Sequence, residues 1–357
     1  MIDFKKFPVT RYQGSKRKMA PWIYEHIKDI EFHSVLDACG GSGSVSYLFK
    51  KMGKQVTYND KLRFNYLIGK AIIQNQDVQF YREDFINLIN WSNQNESDGF
   101  IEDTFEGIYY LTDENQWLGR VNNGIFNMNH YVGQTLEYKK SLAYYALFQA
   151  CLIKRPFNLF HRGNLNIRTA DVERNFGNKV TWEKPFHELF VKFVDEVNGL
   201  VFDSGVQCHA TNDSLFDIQA GEHDLVYIDP PYIAKKGASE GANYLKCYHF
   251  LEGLANYDEW EDLIDWDSPS FRFGNINEEN DFAKENIIST FERMIEKFSD
   301  SKIVISYKSG GVPSVRTIVK LMEKYKGHGN VYTRSRKYSY ALSHNNKNNR
   351  EVLIIGL

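Results

Sequence analysis

Short apolar runs, each ending in small or polar residues, set the frame of this chain. Ser34-Val35-Leu36-Asp37-Ala38-Cys39 is one such run, Gly40-Gly41-Ser42-Gly43 follows, and Ser44-Val45-Ser46-Tyr47-Leu48-Phe49 opens a helical pattern. The order is strand, glycine turn, helix. Val56-Thr57-Tyr58-Asn59-Asp60 predicts a second strand, and a helix is expected from about Arg63 to Gln74. Together these make a βαβ unit, the start of a doubly wound sheet. The same pattern returns near the C-terminus. Strands are expected at Val206–Ala210, Leu225–Ile228, Lys302–Tyr307 and Glu351–Ile355. Runs this continuous suit strands covered on both faces, as in parallel sheets.

Residues 76–195 break the pattern. They are rich in Asn, Tyr and Phe, with one strong helix from about Leu136 to Ile153 and then a basic, aromatic stretch, Lys154 to Arg162. This block is expected to be a mostly helical insertion. The expected fold class is therefore α/β: a doubly wound, Rossmann-like sheet from residues 1–75 and 196–357, interrupted by an inserted domain at 76–195.

Composition narrows the class. The 42% hydrophobic content supplies a sizeable core, and 25% charged residues is ordinary for a globular protein. No run approaches the roughly 18 apolar residues of a spanning helix. The polar sequence after Met1-Ile2-Asp3-Phe4-Lys5-Lys6 predicts no secretory signal, so a cytoplasmic protein is expected. Cys39, Cys151, Cys208 and Cys247 form no CxxC pair, which argues for buried reduced thiols over zinc or disulfides. No metal is expected.

Two local patterns carry chemistry. Gly40, Gly41 and Gly43 allow a backbone to approach a ligand closely at the carboxyl end of the first strand. Asp60, 17 residues beyond Gly43, suits the two hydroxyls of a ribose. Ser46 stands where a third glycine would complete GxGxxG, which disfavours a dinucleotide. Asp229-Pro230-Pro231-Tyr232 follows the strand Leu225–Ile228 directly. Two prolines end the strand in a stiff loop with free carbonyls. Asp229 and the Pro230 carbonyl offer two acceptors and Tyr232 a flat face, a set suited to a flat base with an exocyclic amino group.

In combination these motifs resemble the D12 class of N6-adenine DNA methyltransferases, in particular the methylases of type IIS restriction systems. Arg11-Tyr12-Gln13-Gly14-Ser15-Lys16-Arg17-Lys18-Met19 resembles that family's N-terminal motif, so Tyr12, Gly14 and Lys16 are expected at S-adenosylmethionine. Asp37 to Gly43 resembles its methionine-binding loop, which implicates Asp37, Cys39, Gly40, Gly41 and Gly43. Many relatives have Glu-Pro-Phe where this chain has Asp37 and Ala38-Cys39. Asp60 resembles the ribose ligand, Asp213 the contact to the cofactor adenine, and Asp229–Tyr232 the catalytic tetrapeptide. Tyr248 to Leu254, Ser306-Tyr307, Arg155-Pro156-Phe157-Asn158 and His161-Arg162 also look like that branch.

The resemblance implies methyl transfer from S-adenosylmethionine to N6 of an adenine flipped out of double-stranded DNA. Asp229 and Pro230 would hold the amine and Tyr232 would stack on the base. DNA contacts are expected from the insertion, with Arg155, Arg162 and Arg168 as candidates, and from Arg336 in a C-terminal cluster with Arg334, Lys337, Tyr338 and Tyr340. Phe157 and Phe160 are expected in the core. A cognate restriction endonuclease is the partner that the resemblance suggests, in a bacterial or phage setting. Competing readings are an RNA adenine or N4-cytosine methyltransferase, and an inert nucleic-acid-binding subunit of the same fold. Asp at position 229 favours adenine, and the intact motifs favour an enzyme.

Net charge, −3, is at first sight wrong for a nucleic-acid binder. It is unevenly distributed. Residues 252–285 carry −9 and the rest of the chain +6. An acidic segment facing away from DNA and a mildly basic remainder predict modest non-specific affinity with a shallow salt slope.

Overall fold

The computed structural model describes residues 2–9, 11–95, 97–172, 179–234, 244–274, 282–338 and 349–357. Tyr340, Glu278, Glu279 and Asp281 lie outside the described residues. Seven strands form one sheet: β1 (Ser34–Asp37), β2 (Gln55–Asn59), β3 (His209–Thr211), β4 (Leu225–Ile228), β5 (Lys302–Lys308), β6 (Val331–Lys337) and β7 (Arg350–Gly356). Their spatial order is β3-β2-β1-β4-β5-β7-β6. The first five run parallel, and β7 is antiparallel to both β5 and β6. This is the expected α/β, Rossmann-like sheet. Its order reverses direction between β1 and β4, which is where open α/β sheets bind ligands.

Alternate residues of the central strands feed two cores. Val35, Leu225, Tyr227, Val304, Leu353 and Ile355 face one side; Leu36, Val226, Ile228, Ile303, Ile305 and Ile354 face the other. The second face is covered by helices Ile287–Lys297 and Val315–Lys326. The first face is continuous with the helical block. Helix Gly133–Ile153 is buried almost all round from Tyr138 to Leu152, which is the pattern of a helix inside a core rather than on it. It packs on helices Arg63–Gly69 and Phe186–Asn198. Much of the aromatic content is spent here: Phe105, Tyr109, Phe160, Phe250 and Trp260 pack ring against ring.

Several boundaries differ from the sequence expectation. The strand expected at Val206 starts at His209, where pairing with β2 begins. The helix from Arg63 is α-helical to Gly69 and finishes as a π turn, Lys70–Gln74. Edge strand β6 was not expected at all, because its outward residues alternate polar groups and it lacks an apolar run. Phe160 is fully buried as expected, but Phe157 is 66% exposed at φ 63°. No disulfide joins any of the four cysteines.

Glu252, the one buried acid of its segment among the described residues, ties helix Tyr244–Ala255 to helix Arg63–Gly69. Its two oxygens accept from Arg63 N (2.9 Å) and Phe64 N (3.0 Å), the first amides of helix Arg63–Gly69. Glu252→Ala leaves both donors unpaired. The expected loss is about 1–3 kcal/mol per stranded donor, read as a lower urea midpoint; an unchanged midpoint would mean that water replaces the carboxylate without cost.

Candidate active site

A cavity of about 460 Å³ opens at the carboxyl ends of β1, β2 and β4. Its walls are the Tyr12–Lys16 segment, the glycine turn, Asp60, Asp213 to Phe216, Asp229, Pro231 and the start of helix Tyr244–Ala255. That volume is in the range of nucleoside-sized sites.

The turn after β1 is held from below. Gly40 N donates to Asn59 O (2.8 Å), and a Cβ on Gly40 would lie 2.1 Å from the Tyr58 ring. Tyr58 in turn donates its hydroxyl to Gly41 O (2.7 Å). Gly41 and Gly43 adopt φ 50° and 71°, the left-handed region that glycine enters without strain. Asp60 accepts from Gly41 N (2.8 Å) and Leu62 N (2.9 Å), one on each oxygen. It therefore braces the turn while lining the cavity, and burial pushes its carboxyl up against those two bonds.

Asp37 closes the floor. Its Oδ2 accepts from Ser46 Oγ (2.6 Å), and its Oδ1 is buried without a partner among the described residues. Burial pushes this carboxyl up to about 7, against the Ser46 bond and with Asp229 and Asp60 adding to the rise. Ser46, at the place of a third glycine, thus uses its hydroxyl to hold Asp37 in position. Asn59 links three segments: its amide donates to Ala38 O and Asp213 O (both 3.1 Å) and its oxygen accepts from Asp213 N (3.0 Å). This fixes Asp213 at the cavity edge.

Opposite the turn lies a charged cluster. Lys16, 5% exposed, places its ammonium 2.8 Å from Asp229 Oδ1 and 2.7 Å from Oδ2. The Tyr232 hydroxyl accepts from the Lys16 ammonium (2.7 Å), and its one hydrogen is shared between Asp229 Oδ1 (2.8 Å) and Glu351 Oε1 (3.0 Å). Burial alone would lower the Lys16 ammonium, but Asp229 and Glu351 together outweigh it and hold Lys16 charged. Burial also raises the Asp229 carboxyl; Lys16 opposes the rise and Glu351 adds to it. Tyr12 stacks against Tyr248 (4.8 Å, 14°) and Tyr244 (5.5 Å, 8°) beside Gly14, whose φ of 83° bends the chain around Tyr244.

The donor set fits a ligand built on a nucleoside: a glycine turn that admits close approach, an unpartnered buried carboxylate oxygen, and a ribose-type acid in one cavity. Comparisons with known proteins identify the family. Residues 12–265 match the family described as D12 class N6 adenine-specific DNA methyltransferase. The chain belongs to this family. It is 26% identical to the type II methyltransferase M2.HphI of Haemophilus parahaemolyticus, over 98% of each chain. It is 24% identical to M.NlaIII of Neisseria lactamica over 92% of each, and 26% identical to M.FokI of Planomicrobium okeanokoites over 89% of this chain and 47% of that one.

The methyltransferase brings most of its expected site residues together. Tyr12, Gly14, Lys16, Asp37, Cys39, Gly40, Gly41, Asp60, Asp213 and Asp229 all line the cavity. Gly43 sits beneath it at the start of helix Ser44–Lys51, and of the two prolines Pro231 is the one on the cavity wall, with Pro230 buried. Tyr232 stands behind Asp229 with its ring edge-on to Tyr307 (5.4 Å).

Two of the expected DNA-contacting arginines are placed elsewhere. Arg155 is 1% exposed and donates to the carbonyls of Leu159, Tyr109 and Arg162. Burial pulls its guanidinium down to about 10, so it stays charged at neutral pH. Arg168 makes a bidentate pair with Glu114 (2.9 and 2.8 Å), which Lys154 shares. Both arginines are internal braces of the helical block, because buried carbonyls and Glu114 recruit them. Arg162 and Arg336 are exposed. Tyr244, Tyr248 and Glu351 were not expected at the site. An acid opening the apolar run of β7 was the available signal for Glu351.

Gly40→Ala is expected to displace the Tyr58 ring and with it the bond to Gly41 O. A cost of about 1–3 kcal/mol, as for an overpacked core, should appear as a lowered melting temperature together with weaker methyl-donor binding. Unchanged melting would mean that Tyr58 has room to move.

Proposed function

We propose that this DNA methyltransferase uses S-adenosylmethionine as its donor and acts on an adenine turned out of the duplex. The observation that carries this is the single cavity shared by the glycine turn, Asp60 and Asp229. When bound, S-adenosylmethionine supplies a methyl group on a sulfonium centre whose charge is lost on transfer, chemistry that needs no metal.

The residues take distinct parts. Gly40 and Gly41 admit the methionine end, with Cys39 beside them, and the unpartnered Asp37 oxygen suits its ammonium. Asp60 receives the ribose and Asp213 the cofactor adenine. Tyr12, Gly14 and Lys16 close the near wall. Asp229 accepts one N6 hydrogen of the target adenine and the Pro230 carbonyl the other, so that the nitrogen lone pair faces the methyl group. Much of the acceleration is then positioning. The new N–C bond leaves N6 positively charged, and it sheds one proton. Asp229, whose burial raises its proton affinity, is a suitable stop for that proton on its way to water. Tyr232 flanks the base.

The block at 76–195 is proposed as the target-recognition region within a catalytic domain of residues 1–75 and 196–357. Arg162 and Arg336, both exposed, are the arginines proposed to meet DNA. A paired restriction endonuclease and a cytoplasmic setting complete the proposal. No described helix is long and apolar enough to cross a membrane.

Asp229→Ala is expected to abolish incorporation of labelled methyl groups into adenine while calorimetry still shows cofactor binding. Near wild-type incorporation would remove Asp229 from the reaction. Asp60→Ala is expected to weaken S-adenosylmethionine binding by about 1.5–3 kcal/mol for each charge-assisted bond lost. An unchanged dissociation constant would place the ribose elsewhere.

A further inference from the structure

Glu351 is a fully buried acid at the start of β7, opposite Lys308 of β5 and Arg336 of β6. It does not line the cavity, yet it joins the Asp229 cluster from behind. Ser306 Oγ donates to its Oε1 at 2.7 Å, and the Tyr232 hydroxyl, whose one hydrogen it shares with Asp229, lies 3.0 Å from the same oxygen. The Lys16 ammonium lies 3.5 Å from the same oxygen. The cluster therefore holds one buried ammonium between two carboxylates, Glu351 shut off from solvent and Asp229 opening onto the cavity.

This arrangement poses a problem for the proposed chemistry. Both oxygens of Asp229 already have donors: Lys16 on Oδ2, and Lys16 with Tyr232 on Oδ1. An incoming amino group has to displace at least one of them. Expelling an ammonium from its only carboxylate inside a dry site is costly. A second carboxylate within reach removes that cost, and Lys16 needs to move less than about 1 Å to bring the 3.5 Å contact to hydrogen-bonding length.

We propose that Glu351 is a positioning residue of the reaction: it takes over the Lys16 ammonium and the Tyr232 hydroxyl when the adenine amino group replaces them on Asp229. The proposal rests on Asp229 being the N6 acceptor. Ser306 keeps the receiving oxygen in place, which gives the Ser306-Tyr307 motif a task. The move leaves Asp229 anionic and freed toward the amine, with the Lys16 charge balanced by Glu351.

Glu351→Gln keeps the shape and an acceptor for Ser306 and Tyr232 but removes the charge. With cofactor and DNA saturating, the single-turnover methylation rate is expected to fall at least about tenfold while both dissociation constants stay within about twofold. In a Lys16→Met background the same change should cost much less, because no ammonium remains to be moved. A rate within twofold of wild type, or an equal loss in both backgrounds, overturns the proposal. Asp229→Ala measured alongside separates the two levels. If it still methylates, the role of Asp229 fails; if it is inactive while Glu351→Gln is normal, only the role of Glu351 fails. One measurement needs no variant: a crystal structure with duplex DNA and the unreactive cofactor analogue sinefungin. Lys16 Nζ bonded to Glu351 and off one Asp229 oxygen supports the transfer; Lys16 still on both Asp229 oxygens beside the amine refutes it.

Discussion

A single buried ammonium organises one wall of the cavity in this enzyme. Lys16 comes from the N-terminal segment, Asp229 from the end of β4 and Glu351 from β7, and one cation between two acids draws all three together. None of these charges would be tolerable alone at such depth, because a stranded buried charge costs several kcal/mol. Mutual pairing fixes the wall of the cavity opposite the glycine turn. It also explains how an acid sits inside an apolar strand without breaking the sheet.

The other half of the cavity is braced by neutral groups. Tyr58 fills the space that a side chain on Gly40 would need, its hydroxyl and the Asp60 carboxylate hold both backbone groups of Gly41, and the Asn59 amide holds the Ala38 carbonyl just before the turn. The turn is therefore rigid before any ligand arrives, and binding does not have to order it. Asp37 differs in having one carboxylate oxygen without a partner among the described residues, as do the Gln13 side-chain oxygen and the Tyr227 hydroxyl on the same cavity.

Charge in the helical block is used differently. Arg155, Arg168 and Lys154 look like a basic surface in the sequence, but they point inward to carbonyls and to Glu114. The basic character left for a duplex is smaller than the count of cations suggests, which agrees with the modest excess outside the acidic segment. Glu252 is the counterpart within that segment: an acid spent on two helix amides.

The sheet was legible because β1, β2, β4, β5 and β7 are short apolar runs ended by glycine, proline or polar residues, and such runs have few ways to be buried. The candidate site was legible wherever it resides in contiguous residues. Gly40 to Gly43 and Asp229 to Tyr232 stand out locally, since proline fixes its own φ and glycine admits left-handed backbone that other residues avoid. Edge strand β6 was not legible, having no apolar run to mark it. Neither was the exposure of Phe157, which depends on a left-handed φ that nothing in its side chain calls for. What only the tertiary structure decided is which charges meet. A charge acts over a few ångströms regardless of separation along the chain, so the partnership of Lys16 with Glu351, 335 residues apart, and the inward turn of Arg155 exist only once the chain has folded.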